Sequence, residues 1–389
     1  MQDTCARSIA AALVLLAGLR AEGSPTFTRI GHAQDGVLRA YAISADGLVA
    51  VGRGGSGGPT QAFRWTLGGG VEWLGGLAPG RPSIAHGVSA DGRLIAGAAD
   101  TSDGSHAFVW SAAGGMQSLG FLSGGRSSQG LALSDDGSAV VGMATLLGST
   151  VAIHWKQATG MQSLGYLPGG TFSRADGVSG DGAVVVGSAA TASGTRAFRW
   201  TEGEVMRDLG LMSGWTDAAA TAISADGSVI VGMGSGDSGA SAFRWTSQTG
   251  YELLGTLSGG VEAAPRDLSH NGAVIVGESD SYRGVRAAFW TSGTGWIDLN
   301  DFLRGEGALP SGYVLRSAEG VSADGHVVVG QGTFQGDPIP WIATIPEPAS
   351  ILLLGALSVG RRRVQTRSEK NPNRRLSPGG PGRPSERGS

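Results

Sequence analysis

The sequence predicts an all-β fold, a seven-bladed β-propeller with four short strands in each blade. Three observations lead to this prediction: tryptophans recur every 45 residues, Ser-x-Asp-Gly tetrapeptides recur at the same interval, and each interval contains four apolar runs separated by glycine-rich turns. A strict period of this length indicates a repeat architecture, and four strands per repeat are typical of a propeller blade. The tryptophans are Trp65, Trp110, Trp155, Trp200, Trp245, Trp290 and, after a longer interval, Trp341.

Residues 85–125 show how one repeat is organised. The Asp91-Gly92 turn lies between two apolar runs, which is a strong hairpin signal because glycine tolerates positive φ. In the third run Phe108 and Trp110 fall on one face, since side chains alternate along a strand. Mid-segment glycines disfavour a helical repeat, whereas a β-helix stays open as an alternative, although its coils are shorter than this repeat. The four runs are Ala85–Ser89, Leu94–Gly97, His106–Trp110 and Met116–Leu119.

The two ends of the repeat region complement each other. The seventh copy includes Trp341 but lacks a fourth run, and Phe27–Gly31 aligns with the fourth run of another copy, Met116–Gly120. We therefore predict that residues 27–345 form the propeller and that its N-terminal strand completes the last blade. Such closure removes unpaired sheet edges, which would otherwise be sites of aggregation.

Composition excludes several classes of function. The chain of 389 residues has a formal net charge of −3; residues 361–389 hold nine basic and two acidic side chains, a net charge of +7, so the preceding 360 residues carry −10. An acidic repeat region argues against a nucleic-acid partner, because phosphate backbones are bound by basic surfaces. The single cysteine, Cys5, rules out a disulfide framework and a cysteine-based metal site.

Both ends of the chain carry export features. Residues 1–21 have the pattern of a secretory signal peptide, with Arg7 before the apolar run Ile9–Leu19. Segment 346–363 combines a Pro-Glu-Pro motif, an apolar stretch and an arginine cluster, and in this order it resembles the PEP-CTERM sorting signal of Gram-negative bacteria. The resemblance implies transient inner-membrane contact, processing by an exosortase-type sorting enzyme, and a secreted, cell-surface or extracellular-matrix location. The motif residues are Pro346, Glu347, Pro348, Arg361, Arg362 and Arg363, and residues 364–389 are predicted to be a disordered basic tail.

The repeats themselves resemble a second family. The segment His-Ala-Phe-x-Trp at 106–110, followed by Leu-Gly-x-Leu-Ser-Gly-Gly at 119–125, looks like the bacterial extracellular HAF repeat, and the resemblance extends over residues 27–345. It implies secretion and repetition and brings no established chemistry. One copy alone keeps the histidine, so the repeat does not require it.

No catalytic, metal or cofactor motif is recognisable in the sequence. The six histidines lack metal-ligand spacing, and neither a nucleophile elbow nor a phosphate-binding loop is present. We therefore expect neither a metal nor a cofactor. The periodic tryptophans are expected to pack between blades rather than to stack on sugars. The Ser-x-Asp-Gly segments are expected to be capped hairpin turns rather than calcium loops.

Function is expected where the repeats differ from one another. The side chain three residues before each Ser-x-Asp-Gly varies, and the first strand of a propeller blade lines the central channel, so these residues are predicted to ring one mouth of the channel. They are Tyr41, His86, Leu131, Asp176, Thr221, Arg266 and Glu319. Asp267 replaces the small residue that follows in the preceding copies, and with Arg266 and Glu319 it forms a candidate acid/base group.

A second group of candidates lies in the loops. Antiparallel connectivity places the loops between second and third strands on the same face as the links between blades, and this face carries residues that do not repeat, including an insertion over residues 300–313. Because specificity needs variation, ligand binding is predicted on this face, opposite the repetitive Asp-Gly turns. The ligand-binding candidates of both groups are Tyr41, His86, Asp176, Trp215, Tyr282, Arg283 and Tyr313.

These observations favour an exported, non-enzymatic propeller that binds polysaccharide or a surface protein at the cell envelope or in the extracellular matrix. Two alternatives stay open. One is a polysaccharide-active hydrolase or lyase that uses Arg266, Asp267 and Glu319, which convergence of these side chains would favour. The other is a purely structural matrix component without a specific ligand.

Overall fold

Seven four-stranded antiparallel sheets make up the protein in the computed structural model, which describes residues 24–32, 35–36 and 38–346. Each sheet is one blade, so the predicted all-β, seven-bladed propeller is confirmed. The predicted signal peptide, the sorting motif after Pro346 and the basic tail lie outside the described residues. Among the residues that are described, no helix has the length and apolar character needed to cross a bilayer.

Within each of the first six blades the strands pair in chain order, and the first strands of neighbouring blades contact each other around the ring. Blade 1 comprises β2 (Arg39–Ile43), β3 (Ala50–Gly54), β4 (Gln61–Thr66) and β5 (Gly70–Gly75). Blade 2 comprises β6 (Ser83–Val88), β7 (Leu94–Asp100), β8 (Ser105–Ser111) and β9 (Gly115–Ser118). Blade 3 comprises β10 (Gly125–Leu133), β11 (Ala139–Leu146), β12 (Ser149–Lys156) and β13 (Gly160–Ser163).

The remaining blades follow the same plan. Blade 4 comprises β14 (Ser173–Val178), β15 (Val184–Thr191), β16 (Gly194–Thr201) and β17 (Arg207–Asp208). Blade 5 comprises β18 (Trp215–Ile223), β19 (Val229–Gly236), β20 (Gly239–Thr246) and β21 (Gly250–Leu253). Blade 6 comprises β22 (Ala263–Leu268), β23 (Ile275–Ser279), β24 (Arg286–Thr291) and β25 (Gly295–Asp298). Blade 7 comprises β26 (Tyr313–Val321), β27 (Val327–Phe334), β28 (Asp337–Thr344) and β1 (Thr26–Arg29).

The N-terminal strand closes the ring, as the sequence predicts. Strand β1 is the outer strand of blade 7 and pairs with β28, so that Thr26 faces Thr344 and Arg29 faces Trp341. The side-chain hydroxyls of the two threonines lie 2.9 Å apart, which adds a hydrogen bond to the ladder. Closure places the first and the last strand of the repeat region in one sheet, so β28 does not present an unpaired edge.

The insertion before blade 7 forms a short helix, α1 (Leu299–Gly305). Asp298 caps its N-terminus by accepting a hydrogen bond from the backbone N–H of Asn300 at 2.7 Å. The apolar residues Leu299 and Leu303 are buried. The insertion is therefore anchored to the neighbouring strands by an apolar face.

Tyr313, proposed from the sequence as a ligand-binding residue of this insertion, has a different position. It begins β26 and packs its ring between Phe27, at 4.9 Å, and Phe334, at 4.5 Å. The expected loop position is wrong for Tyr313, because the strand begins earlier than the sequence indicates and the ring packs against blade aromatics. Its role as a ligand contact stays a prediction.

The periodic tryptophans pack between blades, which confirms their predicted structural role. Trp110 of blade 2 is buried with Val49 and Val51 of blade 1 in one apolar cluster. The guanidinium carbon of Arg64 in blade 1 lies 5.3 Å from the centroid of the Trp110 ring, in a cation–π contact between blades. These rings therefore hold neighbouring sheets together, and their faces are taken up by protein.

The Ser-x-Asp-Gly segments are self-capped hairpin turns, as predicted. In blade 2, Ser89 Oγ donates to Asp91 Oδ1 (2.8 Å) and accepts a hydrogen bond from the Leu94 N–H (3.0 Å), and the same pattern recurs in every blade. Gly92 has φ of +69°, and a Cβ there would lie 2.4 Å from Val49 Cγ2 of the preceding blade. The turn therefore needs glycine for its backbone conformation and for close packing between blades.

Candidate functional site

Each innermost strand carries a β-bulge at the position that varies between repeats. In blade 2, Ala85 pairs with Gly97 and Gly87 pairs with Ala96, so His86 between them has no partner on β7. The same shift of register occurs in the other six blades. A bulge bends the strand and re-aims the side chain of its extra residue. The bulged residues are Tyr41, His86, Leu131, Asp176, Thr221, Arg266 and Glu319.

A glycine on the second strand of each blade makes the bulge possible. A Cβ atom on Gly97 would lie 1.9 Å from the carbonyl oxygen of Ile84, a distance at which the two atoms would overlap. The equivalent glycines show the same approach, at distances of up to 2.1 Å. The backbone shape is thus repeated, although the side chain that it presents is not. The glycines are Gly52, Gly97, Gly142, Gly187, Gly232, Gly277 and Gly330.

The bulged residues of all seven blades line one cavity, so the cavity lies on the axis of the ring. Its volume is about 230 Å³. Small residues follow the bulges in the seams between first strands; a Cβ on Gly87, for example, would come within 2.8 Å of the Leu133 nitrogen of blade 3. The structure therefore brings together the seven positions that the sequence singles out as variable.

The Ser-x-Asp-Gly turns narrow one end of the cavity. In five blades the N–H of the x residue donates to the x carbonyl of the next blade, as between His270 and Ala323 (3.1 Å) and between Ala323 and Ala45 (3.0 Å). Inside this ring, His270 Nε2 of blade 6 lies 3.2 Å from Asp135 Oδ2 of blade 3, so the pair spans the axis. A Cβ on Gly180 would lie 2.5 Å from Asp135 Oδ2, so glycine at this position makes room for the carboxylate.

Several charged side chains of the cavity wall form ion pairs. Arg174 Nε lies 2.7 Å from Asp176 Oδ1, and Arg266 Nη2 lies 2.6 Å from Glu278 Oε1. Burial raises the pKa of Asp176 to about 6, although Arg174 acts in the opposite direction. Burial, assisted by nearby arginines, lowers the pKa of His86 to about 4, so this imidazole is neutral at pH 7. The hydrogen bond that His270 donates to the Asp135 carboxylate raises the pKa of His270.

Asp267 anchors the seam between blades 6 and 7. Its Oδ1 accepts a hydrogen bond from the Leu268 N–H (2.8 Å), and its Oδ2 accepts one from the Val321 N–H of blade 7 (2.9 Å). Loss of hydration in the cavity wall raises the pKa of Asp267 to about 6, and the two backbone hydrogen bonds oppose this shift. The other blades place alanine or glycine at this position, so this seam alone of the described seams holds a carboxylate there.

The candidate acid/base group meets in the cavity, but each member has a structural partner. Asp267 accepts two backbone hydrogen bonds, Arg266 pairs with Glu278, and Glu319 accepts a hydrogen bond from the Ser317 hydroxyl at 2.5 Å. A general acid or base needs a carboxyl oxygen within reach of the substrate proton. The oxygens of Asp267 point to backbone N–H groups of the seam, which suits an anchor better than a proton donor.

Trp215, proposed from the sequence as an exposed loop aromatic, belongs to the blade core. It begins β18, and its ring centroid lies 5.8 Å from that of Phe243 and 5.2 Å from that of Tyr251. The ring covers Gly234, where a Cβ would lie 2.2 Å from it. The expected loop position is therefore wrong, because Trp215 begins a strand and its partly buried ring packs in the aromatic cluster of blade 5. Its role as a ligand contact stays a prediction.

Tyr282 and Arg283 lie in the loop after β23, apart from the axial cavity. Tyr282 is 71% exposed, and the guanidinium carbon of Arg283 lies 5.0 Å from the centroid of its ring. Arg283 also pairs with Asp301 of helix α1 at 2.8 Å. These two candidates are exposed, and they do not share a cavity with the bulged residues.

Blade 2 holds a Ser-His-Asp arrangement that the sequence gives no reason to expect. His106 Nδ1 lies 2.7 Å from Ser118 Oγ, and its Nε2 lies 3.3 Å from Asp103 Oδ1. Blade 4 has an ion pair, Arg196 with Asp208 (3.7 Å), at the positions of the histidine and the serine. The arrangement is therefore one version of a polar pair between the third and fourth strands, which is a structural role.

Asp135 and His270 are site residues that sequence reasoning missed. Both occupy the x position of Ser-x-Asp-Gly, where the other copies have alanine or glycine. The rule that function lies where repeats differ could have found them. Within the described ranges, no group of three or more His, Cys, Asp or Glu side chains is arranged to hold a metal ion.

No family model matches the sequence, and no curated protein matches it. Solved structures share the fold at low identity. The oligogalacturonate lyase of Vibrio parahaemolyticus gives a TM-score of 0.52 at 12% identity, over 84% of this chain and 98% of that one. The β-propeller domain of the trilobed protease from Pyrococcus furiosus gives 0.51 at 9% identity, over 78% and 93%. TolB from Acinetobacter baumannii gives 0.45 at 13% identity, over 69% of this chain and 64% of TolB, slightly less than two thirds.

The fold and the axial cavity together define the class of protein: a closed, seven-bladed β-propeller in which variable side chains surround the ring axis. At these identities the likenesses show the propeller fold alone. The Pyrococcus domain is described as having an open velcro topology, whereas β1 and β28 close the ring here.

Proposed function

We propose that this protein is a non-enzymatic propeller that binds one residue of a saccharide chain in its axial cavity. One observation carries the proposal: the seven bulges repeat, whereas the side chains that they present to the cavity differ in every blade. Residues that repeat in every blade maintain the ring, and residues that vary between blades are available to bind a ligand.

The lining suits a polyhydroxylated ligand. It offers acceptors on Asp176 and Glu319, a donor group on Arg266, and the ring of Tyr41. A sugar hydroxyl both donates and accepts, so it matches a wall with both kinds of group, and aromatic rings supply contact area for the apolar face of a sugar. The volume of about 230 Å³ is below that of cavities for drug-sized ligands, which suits a single sugar residue.

A binding role is supported over a catalytic one by the partners of the acidic residues. Both oxygens of Asp267 accept backbone hydrogen bonds across a blade seam, and the Arg266 guanidinium is paired with Glu278. Hydrolysis of a glycosidic bond uses one carboxyl group as an acid and a second as a base or nucleophile. Because both oxygens of Asp267 already accept hydrogen bonds, this residue suits neither role in a hydrolase.

The proposal includes export to the cell surface or extracellular matrix of a Gram-negative bacterium. Its support is the sequence alone: the signal-peptide pattern of residues 1–21 and the PEP-CTERM-like order of residues 346–363, which would engage an exosortase-type enzyme. Extracellular saccharide is abundant at such a location, which fits the ligand class proposed for the cavity. Fractionation of cells that express the full chain tests this part, and retention in the cytoplasm would contradict it.

A glycan array probed with the full chain tests the saccharide ligand, followed by titration of a bound glycan against variants. Tyr41→Ala and Asp176→Asn should each weaken binding about tenfold or more, or at least 1.4 kcal/mol, because each removes a contact from the cavity. Tyr282→Ala is the control, since that ring is exposed on a loop outside the cavity. Absence of any bound glycan, or loss of binding in Tyr282→Ala alone, would refute the proposal.

A further inference from the structure

The charges around the axial cavity do not balance. Three acidic groups of its wall and rim have a basic partner: Asp135 with His270, Asp176 with Arg174, and Glu278 with Arg266. Two further carboxylates, Asp267 and Glu319, also line the cavity. Among the described residues no salt bridge links either of them to a cation, and they accept hydrogen bonds from neutral N–H and O–H donors.

These two carboxylates are on adjoining blades, next to an aromatic ring. Asp267 belongs to blade 6, Glu319 to blade 7 and Tyr41 to blade 1, and blades 7 and 1 are in contact through their first strands. The bulges of β26 and β2 present Glu319 and Tyr41 to the same cavity. Arg266 also acts on Glu319, but its charge is already matched by Glu278.

An ammonium group is the chemistry that this wall would attract. It supplies a positive charge for the two carboxylates and N–H donors for their remaining lone pairs. A cation over the face of an aromatic ring gains further stabilisation, which is larger in a desolvated site. A carboxylate on the ligand would instead add a like charge to the wall, so acidic saccharides are disfavoured.

We infer that the axial cavity selects a saccharide that carries a free amino group, with Glu319 and Asp267 supplying the counter-charge and Tyr41 the aromatic face. The inference rests on the proposed function and narrows it from saccharides in general to amino sugars that are not acetylated. It gives a role to the carboxylate of Asp267, which stands at a position where every other blade has alanine or glycine.

The inference also predicts proton exchange on binding. The pKa of Asp267 is about 6 in the free protein because hydration is lost, and nearby His270 lowers it while Asp135 raises it. A bound ammonium favours the charged carboxylate and lowers this pKa further, so binding should release protons and weaken as pH falls from 7 to 5. Arg266 keeps its charge over that range. His270, which is paired with Asp135 and also influenced by Asp324, becomes more positive.

The test compares a glucosamine trimer with the N-acetylglucosamine trimer by isothermal titration of the full chain at pH 7. The glucosamine trimer should bind at least tenfold more tightly, and Glu319→Gln should remove most of that preference. Glu306→Gln is the matched control, because Glu306 is exposed on the loop after helix α1. Titration in two buffers of different ionisation enthalpy measures the proton release, and circular dichroism checks that each variant is folded.

The outcomes separate the inference from the proposed function. If both trimers bind equally, or the acetylated trimer binds better, the amine selectivity is refuted and saccharide binding stands. If the glucosamine trimer does not bind, the inference is overturned whether or not another glycan does. If Glu319→Gln and Glu306→Gln have the same affinity ratio as the unmodified protein, the assigned wall is wrong.

Discussion

Single glycines decide where the backbone leaves the regular ladder. Replacing Gly97 by alanine would put a Cβ 1.9 Å from the Ile84 carbonyl oxygen and 2.9 Å from the Phe108 ring. We expect Gly97→Ala to lower the free energy of unfolding by about 1–3 kcal/mol, as overpacked sites do. Gly68→Ala is the control, because nothing lies within 4 Å of its added Cβ. Urea unfolding measures both variants, and equal stability would show that the bulge can relax around a methyl group.

At neutral pH the buried, charged carboxylate of Asp176 destabilises the folded state. Its pKa is about 6 in the fold, whereas an unperturbed aspartate titrates near pH ~3.9. The folded state therefore binds more protons between these values, and stability is lost as pH rises through 6. Since the side chain is 19% exposed, Asp176→Asn should raise the free energy of unfolding at pH 8 by up to about 3 kcal/mol, a figure that already includes the opposing effect of Arg174. At pH 4 the gain should almost vanish, and an equal gain at both pH values would contradict the assignment.

At the scale of elements, the four-residue strand β1 controls the integrity of the ring. Deleting residues 27–36 would leave β28 as an open edge and expose the aromatic cluster around Tyr313. We expect a large fall in the melting temperature, because edge pairing and ring packing are lost together. Phe27→Ala should give a smaller fall, and Leu67→Ala, at a side chain 76% exposed, almost none. A deletion variant that melts with the intact protein would refute closure as a source of stability.

The strands could be predicted where a sequence pattern repeats in every blade. They could not be predicted where the sequence of one blade differs from the others. The Asp-Gly turns, the valine runs and the Phe27–Gly31 match give seven blades and the closure. Trp215 and Tyr313 were assigned to loops because one aromatic in a glycine-rich link gives no periodic signal. In the structure both residues begin a strand that is longer than in most other blades, since their rings fill space over Gly234 and beside Phe334.

At the scale of the whole molecule, the pair of Asp135 and His270 links blades that are far apart in the ring. A double-mutant cycle of Asp135→Ala and His270→Ala should give a coupling of about 0.2–1 kcal/mol at pH 6, the range for partly exposed pairs. The raised pKa of His270 means that this stability is present below pH ~6.5 and lost as pH rises through the folded value. The exposed pair Arg207 and Glu204 is the control and should show no change between pH 6 and 9. Coupling that persists at pH 9 would contradict an ion pair.

The position of the cavity followed from the sequence more readily than its geometry did. Variation between copies identified the residues around the axis, such as His86 and Asp176, because first strands line a propeller channel. The register was harder to predict. A bulge interrupts the alternation of side chains, but the residues beside it are small, such as Ala85 and Gly87, and give no clear apolar pattern, so the seven bulges were not predicted. The pairing of Asp135 with His270 depends on which blades face each other across the ring, and a linear sequence does not show that distance.

At each bulge, the residues that shape the backbone differ from the residue that faces the cavity. Glycines and small residues of the scaffold specify the kinked backbone, and the residue at its apex takes no part in the ladder between the first two strands. One codon per repeat can therefore drift after duplication of a 45-residue unit without changing the ladder that holds the unit together. For protein engineering, randomising these seven codons together would sample new axial surfaces while leaving the strand ladders of the blades unchanged.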